Sequence, residues 1–266
     1  MNRTNYEASV IQSVQQLIRS SGALILREMS TTYGRSPGGY LWAVLEPVAG
    51  IALITFAFSL AFRNPPIGSS FALFYATGLL VFLMYSDVAT KIQESIRFSK
   101  QLLFYPRVTF VDAVFARFLL NFTTQILIFS LVIFGTIILL RIDAILRIPA
   151  IVSSIAMVAV LCLGVGTLNC FLVSAFPIWS RVWAIMNRPL FIVSCVFFIP
   201  ENLPEPYRSI VLYNPLVHAV GQMRSGFYPG YEASYVSVPY VFGISIVSLC
   251  LGLVFLKRYN REILNR

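Results

Sequence analysis

Phe71, Tyr75, Gly78, Phe82 and Tyr85 stand at offsets 0, 4, 7, 11 and 14, which places them on one face of a helix. Phe58 and Phe62 form a second short row one turn apart. The chemistry open to such rows is non-covalent. The polarised C–H groups of a pyranose meet the negative face of an aromatic ring, and a tyrosine hydroxyl adds a hydrogen bond. Contacts of this kind are weak and repeated, which suits a polymer that must slide. The same face serves equally for packing or for lipid contact. A small-ion channel would instead need rings of carbonyls or charges, and none is evident.

Other chemistries find little material. No G-x-x-x-x-G-K-[ST] phosphate loop occurs, so ATP is not expected to bind this chain in that way. His218 is the only histidine and has no partner at metal-ligand spacing, which leaves it a lining or packing residue. Cys162, Cys170, Cys195 and Cys250 lie in or beside apolar runs and read as reduced packing residues. Acids deep in the apolar runs are too few for a proton relay. No cofactor is expected in this chain, and uphill transport would draw its energy from another.

Three further groups of residues have types and positions that invite a role. Glu46-Pro47 lies inside an apolar run, where a carboxylate needs a cationic or hydrogen-bonding partner; Arg35 and Arg117 are the candidates for an ion pair or a gating contact. Leu102, Leu103, Phe104, Tyr105, Pro106 and Arg107 form an unusually apolar loop segment. It either folds back on its own helices or docks as a short coupling helix in a groove of a cytosolic motor. Tyr207, Tyr213, His218 and Arg224 fall in an interrupted, proline-rich segment suited to line an exit.

The elements that must position these residues follow from hydropathy. Hydrophobic residues make up 58% of the 266, and the mean hydropathy is +0.78. A soluble surface cannot accommodate that, whereas a helix in lipid satisfies its own backbone. The expected fold is an all-α integral membrane protein, one domain over 1–266, with six transmembrane helices at 41–62, 71–90, 113–140, 149–176, 182–200 and 236–256. The fifth is the weakest, since it must carry Arg188 inside one end and rely on snorkelling. Residues 91–112 form the loop between spans two and three. Residues 201–235 form an external segment with two short re-entrant helices, tolerated at membrane depth only against protein or water.

Fourteen of the twenty Lys and Arg residues lie on the side of the bundle that holds both termini and the 91–112 loop. The positive-inside rule then puts both termini in the cytoplasm. The formal charge of +9 is accounted for in this way, without nucleic acid. The first forty residues show no compact apolar core with a small-residue cleavage site. Within them Val10, Ile11, Val14, Leu17 and Ile18 share a face opposite glutamines and Arg19, an amphipathic helix for the membrane interface. A second short helix is expected over 23–32.

Leu26-Arg27-Glu28-Met29, Thr32-Tyr33-Gly34-Arg35, Gly39, Trp42 and Glu46-Pro47 together resemble the amino-terminal signature of bacterial polysaccharide-export permeases. These are the membrane subunits of ABC exporters for capsular polysaccharide, O-antigen and teichoic acid. The stretch 102–108 fits that family's cytosolic loop. Tyr213–His218 and Arg224–Gly230 fit its segment before the last span; the Arg27-Glu28 to Tyr33-Gly34-Arg35 pattern and the Arg224–Gly230 pattern look closest to capsule exporters. The resemblance implies a homodimer in the bacterial inner membrane, working with two separate nucleotide-binding ATPase subunits that hold ATP and Mg. It implies a polymer channel between the protomers for a lipid-linked polysaccharide. It further implies a periplasmic co-polymerase and an outer-membrane export protein downstream. O-antigen, teichoic acid or a small hydrophobic substrate are alternative cargoes, and a non-transporting membrane scaffold is the alternative function.

Overall fold

The computed structural model describes residues 39–103, 109–142 and 145–265; side chains are not described at 39–40, 101–103, 260–261 and 264–265. The amphipathic segment 10–18, the helix expected over 23–32, Arg35, Phe104, Tyr105, Pro106 and Arg107 lie outside the described residues.

Every regular element described is helical: α1 (Gly39–Ala61), α2 (Phe71–Gln93), α3 (Ser95–Leu103), α4 (Phe110–Leu140), α5 (Ile148–Ala175), α6 (Trp179–Val193), α7 (Tyr207–Leu212), α8 (Pro215–Phe227) and α9 (Val238–Asn265), with a short 3-10 turn at Pro200–Asn202. Among the described residues five stretches are long and apolar enough to cross a membrane: Leu41–Ala61, Phe71–Lys100, Phe110–Leu140, Ile148–Ala175 and Val238–Tyr259.

Expectation and structure differ at the span drawn over 182–200. There α6 has 15 residues, about 22 Å at ~1.5 Å per residue against a hydrocarbon core of ~30 Å. The cause is local. The chain turns at Ser194-Cys195, where Cys195 takes a left-handed φ of 58°. Asn214 Nδ2 donates to Ser194 Oγ at 3.1 Å, and Arg224 donates to the carbonyls of Val196 and Phe198. The apolar run therefore continues past α6 as a pinned, non-helical strap rather than as helix.

The core forms around α2, buried along most of its length, with α4 on one side and α5 on another. Lipid tails give helices no hydrophobic reason to associate, so close approach between small residues matters most. At Gly164 of α5 a side chain would overlap the main chain of Ser245 in α9, and at Gly252 of α9 one would overlap the main chain of α5 near Leu168. By contrast α1 is nearly uncovered: Leu41, Trp42, Leu53, Phe56 and Leu60 are all exposed, and among its described side chains only Pro47 and Ile51 are buried.

Helix ends follow their sequence signals. Thr109 and Asp112 cap α4 reciprocally, at 3.2 and 2.8 Å. Asn214 caps α8 by accepting from Leu216 N at 3.0 Å, with Pro215 at the first helical position.

Candidate functional site

Phe71 and Tyr75 come from the start of α2, and Phe58 and Phe62 from the end of α1. These four line one cavity of about 420 Å³, together with Phe197 from the strap beyond α6 and Asn202 from the 3-10 turn after it. Phe58 is the hub. Its ring centre lies 5.9 Å from Phe62 and 5.7 Å from Phe197, both nearly parallel at 16° and 11°, and 5.1 Å from Tyr75. Such spacings are the favoured offset-stacked and tilted arrangements.

Phe82 sits two turns further along α2, 4.9 Å from Phe191 of α6. It lines a second cavity, of about 450 Å³, with Trp183, Asn187, Arg188 and Phe191. Phe191 in turn meets Phe197 edge-on at 5.1 Å and 78°. The rings therefore form an unbroken ladder from one cavity to the other: Phe62, Phe58, Phe197, Phe191, Phe82. Tyr85 shares the helical face in sequence but not the cavity. It is buried in the core, where the Cys162 thiol of α5 sits 3.7 Å from its main-chain carbonyl. Two rungs, Phe191 and Phe197, were not among the residues marked from the sequence. Both fell inside an expected span with no helical register to single them out. The aromatic pair Phe197-Phe198 just before Pro200 was the available signal.

Near the other end of the bundle, Glu46 shares a polar cavity of about 210 Å³ with Asp87, Lys91, Asn121 and Gln125. Gln125 Nε2 donates to Asp87 at 2.7 Å. Arg117 is turned to the break between α2 and α3: it donates to the carbonyl of Lys91 at 3.0 Å and lies 4.2 Å over the ring of Phe98. Leu102 and Leu103 form the end of α3.

The residues assigned to an exit separate into two kinds. Tyr207 opens α7 and Tyr213 follows its last residue; both are widely exposed, at 63% and 75%. His218 and Arg224 are buried in α8. His218 Nδ1 accepts from Ser237 N at 3.1 Å, so Nε2 carries the proton and donates to Leu212 O at 2.9 Å. Arg224 donates to Phe198 O and Val196 O at 2.9 and 2.8 Å and lies 4.1 Å over Phe74, so it holds the strap that carries Phe197. Beside them Tyr231 donates to Glu201 at 3.1 Å and lies 3.2 Å from the Tyr235 hydroxyl. Burial pushes the Tyr231 hydroxyl up to about 12 and the Tyr235 hydroxyl higher still, so both remain protonated donors.

Residues 20–228 match the ABC-2 type transporter family. The chain belongs to that family. It is 29% identical over 242 residues to a polysialic acid transport protein, KpsM, of Escherichia coli, covering 91% of this chain and 94% of the relative. It is 27% identical over 259 residues to the capsule polysaccharide export inner-membrane protein CtrC of Neisseria meningitidis serogroup A, covering 97% of each. It is 26% identical over 250 residues to the capsule polysaccharide export inner-membrane protein BexB of Haemophilus influenzae, covering 92% of each. With five candidate spans, this ABC-2 chain is a multi-pass membrane protein of a transporter family.

Proposed function

We propose that this chain is the permease subunit of an ATP-driven exporter that moves lipid-linked capsular polysaccharide out of the cytoplasm across the bacterial inner membrane. The aromatic ladder from Phe62 to Phe82 carries the reading. It spans three helices and the strap, links two cavities, and offers a glycan a series of shallow stacking contacts without a deep binding minimum. Relatives along nearly the whole chain bear capsule-export and polysialic-acid-transport names, which supports the cargo class.

Two copies face each other across the ladder, and two nucleotide-binding subunits beneath them hold ATP and Mg. Residues 91–112, with Tyr105 near the middle, pass the motor's closure to α2 and α4 across the Arg117 contact. Both termini are cytoplasmic, which needs an even number of crossings. The sixth is α6 with the strap at 194–199, a broken crossing whose backbone lines the path. Such backbone is tolerated at membrane depth where it faces protein or water. Helices α7 and α8 re-enter the membrane at the outer end, and a periplasmic co-polymerase and outer-membrane export protein take the polymer onward.

The test is a deletion of the gene in its own bacterium, with surface polysaccharide measured and the tagged chain purified from the complemented strain. Loss of surface polymer, its accumulation inside the cell and co-purification of an ATPase are expected. Normal capsule in the deletion strain refutes the reading.

A further inference from the structure

The cavity beside Phe82 does not end there. It shares Gln93 and Ser180 with a neighbouring cavity of about 310 Å³ that includes Arg97 and Lys100 of α3. Together they make one groove between α2, α3 and α6, closed at its far end by the tail of α9 at Ile263. Its chemistry is one-sided. Arg97, Lys100 and Arg188 line it, and no carboxylate among the described residues does. Among the described residues none of these three cations has an ion-pair partner. Gln93 is 6% exposed, and its side-chain carbonyl oxygen has no hydrogen-bond partner. Asn187 spends its amide on Ser86 and leaves its own oxygen unpartnered. Trp183 is half-buried on the wall beside Phe191.

Two of these features select part of a ligand. Three cations without counter-charges attract an anion, and guanidinium groups pair with phosphate or carboxylate. The Gln93 and Asn187 oxygens are enclosed by protein, which leaves the cations and the indole to select the ligand. An indole wall suits the C–H face of a ring. Lipid tails alone would satisfy the aromatic wall but not the cations.

We propose that this groove binds an anionic sugar unit of the transported glycan, with Arg188, Arg97 and Lys100 facing its charge and Trp183 flanking its ring. The inference rests on the permease reading and adds where the polymer is first held: at the foot of the ladder, with Phe82 and Phe191 as its exit. The charge has two possible sources, the phosphate that joins glycan to lipid or an acidic residue of the polymer.

The full chain in phosphatidylcholine nanodiscs is titrated with glucose 1-phosphate and with glucose, reading binding by saturation-transfer NMR. Glucose 1-phosphate should bind at least about tenfold more tightly than glucose, and Arg188→Gln combined with Arg97→Gln should remove that margin. Arg188→Lys, which keeps the charge, should retain most of it and serves as the control for folding. Dodecyl phosphate and glucuronic acid are then added as competitors. Displacement by the first assigns the charge to the lipid linkage, and displacement by the second assigns it to the polymer. Displacement by neither, equal binding of glucose and glucose 1-phosphate, or undiminished binding by the double glutamine variant overturns the proposal. The permease reading is scored separately by the deletion strain: a normal capsule there sinks that reading, whereas intact binding by the double variant sinks the groove alone.

Discussion

Arg224→Met removes a charge from the interior while keeping most of the volume, and its effect can be worked from the contacts. The guanidinium is 0% exposed, donates to two main-chain carbonyls at 2.9 and 2.8 Å and lies 4.1 Å over Phe74. Methionine leaves the carbonyls of Val196 and Phe198 unpaired, at a cost of about 1–3 kcal/mol each. The lost cation–π contact adds about 1–2 kcal/mol. Relief from holding an arginine in an apolar interior offsets part of this, since burying a charge is itself expensive. The net expectation is a destabilisation of about 2–4 kcal/mol. It should centre on the strap, because nothing else described donates to those two carbonyls. The assay is reversible unfolding of the reconstituted chain in mixed detergent, followed by circular dichroism, alongside hydrogen exchange of residues 194–199. Arg224→Lys should fall between the two, since one ammonium cannot reproduce a planar fork aimed at two carbonyls. Stability of Arg224→Met within about 0.5 kcal/mol of wild type, with unchanged exchange at 194–199, would refute the reasoning.

Other expectations follow from single contacts. Gly164→Leu forces α5 away from Ser245 of α9 and should reduce folded yield in the membrane several-fold, measured by fluorescence-detected size exclusion, whereas the same change at Gly135, which has open space around it, should leave yield unaltered. His218→Phe leaves Leu212 O and Ser237 N without their partner and should cost about 2–4 kcal/mol in the same unfolding assay; His218→Gln should recover part of it. Tyr105→Asp should abolish ATP-dependent export while leaving insertion and abundance normal, measured by surface polysaccharide and by immunoblot. Normal export by that variant would remove the coupling role from the loop.

Much of the architecture was legible because lipid imposes a simple rule: an apolar run of about twenty residues must be helix. The runs at 41–62, 71–90, 113–140, 149–176 and 236–256 each coincide with a long helix, with α2 and α9 running on at their carboxyl-terminal ends. Those helices run on into charged sequence that hydropathy excludes but helix propensity favours, as at Lys91 and Lys257–Arg258. The run at 182–200 is helix only as far as Val193, and hydropathy cannot see the tertiary anchor that ends it. Arg224, in a distant helix, takes the carbonyls of Val196 and Phe198 and keeps that backbone out of helix.

Periodicity had the same strength and the same blind spot at the candidate site. It placed Phe71, Tyr75, Phe82 and Tyr85 on one face; in the structure Tyr75, Phe82 and Tyr85 are all buried, and Phe71, Tyr75 and Phe82 line cavities while Tyr85 lines none of those described. A face running from Phe71 to Tyr85 is longer than any one neighbour covers, so its rings meet different surroundings. Arg224 was marked as an exit residue on its position in an external segment; its place inside the fold depends on contacts across 26 and 28 residues of sequence. Phe191 and Phe197 needed the turn after α6 to be known before they could be joined to Phe58 and Phe82.

The central claim is that glycan travels along the ladder Phe62, Phe58, Phe197, Phe191, Phe82. Its most direct test is photo-crosslinking in cells making capsule, with benzoylphenylalanine placed at Phe197 and, as an exposed control on α1, at Leu53. The account predicts glycan-positive, glycosidase-sensitive adducts at position 197 and lipid adducts alone at position 53. Adducts at 197 that contain only lipid or protein, in cells exporting polymer at the normal rate, would contradict it.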